Sequence, residues 1–403
     1  MTAGDSIKQA AQGTKNVTER VVDAVEGTIN DVTDSVQGAV QHAGDKIHSP
    51  PRPVARPVRR PVERAAGGCG RMPAGSTLPA MTVIDWLLDS DPAISWQTMR
   101  DLTGVRADVV AAERSRVARE GWGARLLARQ ADDGAWNGGT YFPTAEFGDP
   151  GPGQPWTATA WALSDLREFG VDPDDPAVRR AVGLVREHRT WEHAGQRFFD
   201  GEVEPCINGL TVALGAYYGE DVSGIVARLL DEQLADGGWN CEAENGSTRS
   251  SFHSTMCVID GLLEYELATG RREATAARLA GEEYLLERRL LRRRSTGEVI
   301  EEAWASPAFP TRWHYDVLRA LDHLRRSGAR PDPRADEALD RLVALRGSDG
   351  RWPLPRVHEG AVHFELEPVG APSRWITLRA LRVLAWAGRL DAGRSEARSG
   401  ARE

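Results

Sequence analysis

From Thr82 onward, apolar residues recur every three or four positions, and glycine or proline interrupts the recurrence at each break. No stretch alternates as a half-buried strand would. Two kinds of helix emerge. Six longer, more apolar helices are expected to begin near Ser95, Trp156, Cys206, His253, Arg312 and Arg374. More charged helices are expected between them, over about 106–130, 176–188, 221–234, 272–292 and 334–346. A helix that is apolar all round is buried, and an amphipathic one shows a face to water. The alternation predicts an all-α (α/α)6 toroid over residues 81–390, with six inner helices ringed by outer ones. An open solenoid would share the alternation, but six inner starts is the number that closes a barrel.

One phrase recurs three times: QADDGAW (Gln130–Trp136), QLADGGW (Gln233–Trp239) and RGSDGRW (Arg346–Trp352). Each lies between a charged helix and an apolar one, so the unit repeats across most of the helical region. The first residue is expected to bond the unsatisfied carbonyls ending its own helix. The glycine turn then reverses the chain, and the Trp packs on the next helix.

Residues 1–80 break the pattern. Their first part is small, β-branched and charged, and SPPRPVARPVRRPVERAAGG follows as a proline-rich basic linker. A disordered or weakly helical extension is expected there, with a membrane-surface or partner-binding arm as the alternative, and residues 391–403 are expected to form a disordered tail. The net charge of −9 argues against non-specific nucleic-acid binding. No apolar run is long enough for a transmembrane helix, and no signal peptide is evident. Four cysteines make no disulfide framework in 403 residues, which points to a cytoplasmic protein with reduced thiols.

The three phrases resemble the QW repeat of squalene and oxidosqualene cyclases and the related repeat of protein prenyltransferase β subunits, over about residues 82–390. The resemblance implies a toroid that takes an isoprenoid, an isoprenoid diphosphate or another small hydrophobic substrate. It extends to one toroid, whereas triterpene cyclases carry two. Cyclases of this type protonate an alkene with an Asp-x-Asp-Asp acid. Asp172, Asp174 and Asp175 match it literally, but their place before Pro176 makes them a helix cap.

Chemistry-bearing side chains gather where the inner helices are expected to start. Cys206, Cys241 and His253 suit Zn²⁺, with an open fourth position for water or substrate. Cys206, Cys241 and His253 also resemble the ligands of lanthionine cyclases in type and order, although the CHG-type signature is missing. Glu204, Cys206 and His253 are similar to the prenyltransferase carboxylate, thiolate and imidazole. Small buried cysteines and a capping histidine are the alternative. Arg249, Arg312 and Arg374 each precede an inner helix and are candidate diphosphate or carboxylate contacts. His314, Asp316 and Glu204 are candidate acid–base groups. Trp156, Trp313 and Trp375 would line an apolar pocket or fill it. A non-catalytic toroid binding a lipid or peptide is the second functional class, and a carbohydrate-active toroid using Glu204 and Asp316 is a third.

Overall fold

The computed structural model describes residues 82–148 and 151–390. The chain divides into two units, Met1–Thr77 and Leu78–Glu403, and the described residues all belong to the second. The expected N-terminal extension and C-terminal tail lie outside them.

The described residues are mostly helical, as the patterning predicts. Thirteen α-helices follow one another: α1 (Val83–Leu88), α2 (Pro92–Leu102), α3 (Ala107–Ser115), α4 (Gly121–Leu127), α5 (Thr159–Phe169), α6 (Pro176–His188), α7 (Pro205–Tyr218), α8 (Ser223–Asp231), α9 (Phe252–Thr269), α10 (Thr275–Leu286), α11 (Val317–Arg326), α12 (Asp336–Ala344) and α13 (Arg374–Trp386). Two-residue strands, β1 (Trp352–Pro353) and β2 (Pro372–Ser373), pair antiparallel at the foot of α13. Local chemistry sets the boundaries. Asp91, Asp316 and Ser373 accept from first-turn N–H groups of α2, α11 and α13, while left-handed Gly170, Gly219 and Gly270 end α5, α7 and α9.

The six expected apolar helices are α2, α5, α7, α9, α11 and α13, and neighbouring members touch. The Trp96 indole donates to the Phe169 carbonyl and Gln97 to that of Glu168, joining α2 to α5. Helix α5 packs on α7, and α7 on α9. Gly209 and Gly261 let those last two approach, because a Cβ on Gly261 would sit 2.3 Å from the Gly209 carbonyl oxygen. Arg319 and His323 of α11 reach Asp260 of α9, Arg379 of α13 faces Asp322 of α11, and Arg382 of α13 pairs with Asp101 of α2 at 2.5 Å.

The repeated phrase does a different job from the one its sequence suggests. Gln130 donates to the Gly134 carbonyl and to that of Ala181, inside the following charged helix α6. Gln233 does the same with Gly237 and with Ala277 of α10. Glutamine therefore ties neighbouring charged helices together. The indole satisfies the helix end instead: Trp136, Trp239 and Trp352, all fully buried, donate to Leu126, Leu229 and Leu342 in the last turns of α4, α8 and α12. Each Trp backbone N–H then donates to a threonine hydroxyl on the next apolar helix, Thr159, Thr255 or Thr377. The turn glycines sit at φ of 82°, 94° and 83°. A Cβ on them would meet Leu184 of α6, Ala280 of α10 and Val83 of α1 respectively. Helix α1 thus takes, beside the third phrase, the place that α6 and α10 take beside the first two.

Candidate functional site

Between the six apolar helices lies a cavity of about 440 Å³. Its wall changes character along the helices. Toward their N-termini it is formed by Tyr141, Trp161, Cys206, Cys257 and Trp313. Further along it is ionic, and nine arginines and five carboxylates face it in all. Three of those carboxylates each hold two guanidinium groups: Asp101 takes Arg100 and Arg382, Glu264 takes Arg167 and Arg326, and Asp322 takes Arg325 and Arg379. Arg114 reaches the Gly170 and Val171 carbonyls and the Tyr217 hydroxyl.

Converging helix C-termini supply one reason for the arginines, because their free carbonyls carry partial negative charge. The guanidiniums still outnumber the carboxylates. Burial, with Arg100 and Arg325 as like-charged neighbours, pushes Arg382 down to about 10 against the pull of Asp101 and Asp322. Arg382 Nε and Trp375 Nε1 are buried without a hydrogen-bond partner. His323 is 2% exposed and clamped, Nδ1 at 2.8 Å from Asp260 and Nε2 at 2.9 Å from Glu282. Those two carboxylates outweigh desolvation and raise its pKa. Arg319 and its neighbours hold Asp260 well below the carboxylate range despite burial.

The aromatic end has the opposite electrostatics. His314 is stacked between Trp313 at 3.7 Å and His358 at 3.6 Å between ring centroids. Burial pushes His314 and His358 down to about 3 and His253 to about 4, with nearby arginines adding to the shift. Near neutral pH these are uncharged rings. A second cavity of about 400 Å³ lies behind Pro310 and Arg312, walled by Trp156, His358 and His363.

Cys206 and Cys241 are brought together as expected, their sulfurs 2.8 Å apart. Glu204 completes the trio, with Oε2 3.3 Å from Cys206 Sγ and all three ligand atoms within 4.8 Å of one another. His253 is not one of the three, and its Nδ1 accepts from the Tyr315 backbone N–H at 2.9 Å. Two thiolates on one tetrahedral zinc lie about 3.8 Å apart, given Zn–S near 2.3 Å. Loading an ion here requires the sulfurs to part by about 1 Å.

The remaining expected site residues scatter. Arg312 faces both cavities, pairs with Asp165 at 2.7 Å and lies over the Trp156 ring. Trp313 lines the first cavity and donates to Gln154. Trp375 also lines it, stacked on Phe309 at 4.2 Å. Trp156 borders the second cavity and bonds the Glu359 carbonyl. Arg374 is committed to the Trp86 and Asp89 carbonyls, and Arg249 is exposed on a turn outside both cavities. Asp316 is the buried cap of α11, and burial raises its pKa. Asp175 caps α6, as expected from its place before Pro176.

The ionic wall is what sequence reasoning misses. Its signal was available in WALSDLREFG, VLRALDHLRR and WITLRALRVL, where charged residues recur inside helices read as apolar. Helix α11 departs furthest from that reading, with Arg319, Asp322 and His323 all buried.

No protein-family model and no curated protein matches this chain. Among solved structures, a protein from Actinoplanes aligns over 74% of this chain and 90% of its own, at 15% identity and a TM-score of 0.37.

Proposed function

We propose that the chain is a single (α/α)6 toroid of the terpenoid-cyclase and prenyltransferase kind, and that its axial cavity binds a small amphiphilic anion of the isoprenoid-diphosphate class. The unbroken succession of contacts from α2 through α13 and back to α2 supports the toroid. One observation carries the ligand class: a single cavity joins an indole-lined end to an end where guanidiniums outnumber carboxylates. An apolar chain would lie against the rings, and its anionic head would take the shared donors of Arg379, Arg382 and Arg100. A cavity of this volume falls within the range of small-molecule sites.

The residues here bind and orient rather than transfer protons. His314 is sandwiched and uncharged, and Asp316 is spent as a cap. A binding protein for such an amphiphile is therefore the second reading. Zinc at Glu204, Cys206 and Cys241 would convert it into a metal enzyme, because the ion would acidify a bound water or thiol beside the cavity.

Titration calorimetry with geranyl diphosphate, geraniol and inorganic pyrophosphate tests the ligand class. The diphosphate should bind at least tenfold tighter than geraniol, and added salt should weaken it. Arg379→Met should cost about tenfold, the worth of one hydrogen bond to a charged group. Equal affinity for geraniol would sink the anion reading, and binding of none of the three would sink the cavity reading altogether. Turnover of the bound diphosphate to alcohol or hydrocarbon, read by mass spectrometry, separates enzyme from binder. Elemental analysis giving about one zinc per chain, lost in Cys241→Ser, would establish the metal.

A further inference from the structure

Cys206 and Cys241 arrive from separate elements, the first turn of α7 and the 3-10 turn beginning two residues after Trp239. Their 2.8 Å separation is short of the spacing two zinc ligands need, and closing it to an S–S bond of about 2.05 Å is a small movement. Neither is fully buried, and Cys206 faces the axial cavity, so a small oxidant has a route to the pair. Cys257 is different: it is buried, and its thiol donates to the Trp313 carbonyl.

The two sulfurs are also unequal. The Ser254 hydroxyl lies 3.3 Å from Cys241 Sγ, and the Glu204 carboxylate lies 3.3 Å from Cys206 Sγ. Cys241, with a hydroxyl beside its sulfur, is placed as the attacking thiolate, and Cys206, with the Glu204 carboxylate beside it to take its proton, as the resolving thiol.

We propose that Cys206 and Cys241 form a redox-modification site, a dithiol that peroxide closes to a disulfide fastening the 240–243 turn to the start of α7 at the cavity wall. The Cys241 thiolate attacks one peroxide oxygen, the O–O bond breaks, and the leaving hydroxide takes up a proton to become water. This gives a sulfenic acid at Cys241. Cys206 then attacks that sulfur while Glu204 accepts its proton; the S–O bond breaks and the hydroxide leaves as water on taking up that proton. Two thiols and one hydrogen peroxide become one disulfide and two waters, and a dithiol reductant reverses the modification.

The full chain in a Cys69→Ser background, treated with equimolar hydrogen peroxide and digested without reduction, tests this by peptide mass mapping. The expected product is a Cys206–Cys241 cross-linked peptide with Cys257 still alkylatable after unfolding. The expected melting temperature is a few degrees above that of the reduced protein, returning on treatment with dithiothreitol. Three results would overturn the proposal: sulfinic acid at Cys241 without a cross-link, a link to Cys257 instead, or one zinc per chain shielding both thiols. The cross-link is read by mass alone, so its outcome stands apart from whether the cavity takes an isoprenoid diphosphate.

Discussion

Near their N-termini the six apolar helices surround the cavity with indoles and thiols, with imidazoles packed close by, and toward their C-termini the same helices present guanidinium and carboxylate groups. The two ends hold charge in opposite ways. At the aromatic end, burial is unopposed by any facing carboxylate, so His253, His314 and His358 are driven to low pKa values. At the ionic end carboxylates face the buried imidazole, and His323 between Asp260 and Glu282 moves upward instead. Burial alone does not fix the protonation state of a histidine. What faces it decides.

The sharpest way to break this contrast is to remove one member of the ionic lattice. Asp260→Ala strands Arg319 and His323 in the interior and should cost about 3–5 kcal/mol, read from urea unfolding. A loss under about 1 kcal/mol would mean that water reaches this end freely enough to solvate the orphaned cations.

Next in size is the link between charged and apolar helices. Trp239→Phe keeps most of the packing but leaves the Leu229 carbonyl without its donor, for an expected loss of about 1–3 kcal/mol. Gln233→Ala removes the tie to α10 and should cost about 1 kcal/mol. If the glutamine change proved the larger, the helix-to-helix tie would outrank the cap.

Acid titration separates the two ends without mutating the lattice. Imidazoles with a folded pKa below the unfolded 6.5 contribute stability that is complete above pH 6.5. It is lost as pH falls toward the folded values of about 3 to 4. His323 has the opposite sign: its contribution is complete below pH 6.5 and lost as pH rises through its raised folded pKa. His314→Phe should therefore flatten the acid limb of a stability–pH curve, and His323→Gln should flatten the loss on the alkaline side. Parallel curves for both variants would show that the two ends are not electrostatically distinct.

Much of the architecture was written in the order of residues. Helix periodicity, the Pro-started helices at Pro92, Pro176 and Pro205, and the three Trp phrases placed most apolar and charged helices within a few residues of where they lie, although the helix expected over 106–130 breaks into α3 and α4 and α1 lies outside the expected set. Those signals are local, a turn or two in length, and hold wherever the helix ends up. The meeting of Cys206 with Cys241 was legible as well, because both fall at the same end of successive units.

Partnership across the fold was not legible. That Gln130 would bond Ala181 rather than its own helix end depends on where α6 docks. That Arg319, Asp322 and His323 would be buried as an ion lattice depends on three helices facing one another at once. Sequence by itself determined most of the helical segments and their turns, because hydrogen bonding along a helix is local. Only the tertiary structure decided which end of the cavity is charged, because a guanidinium finds its carboxylate through space and not along the chain.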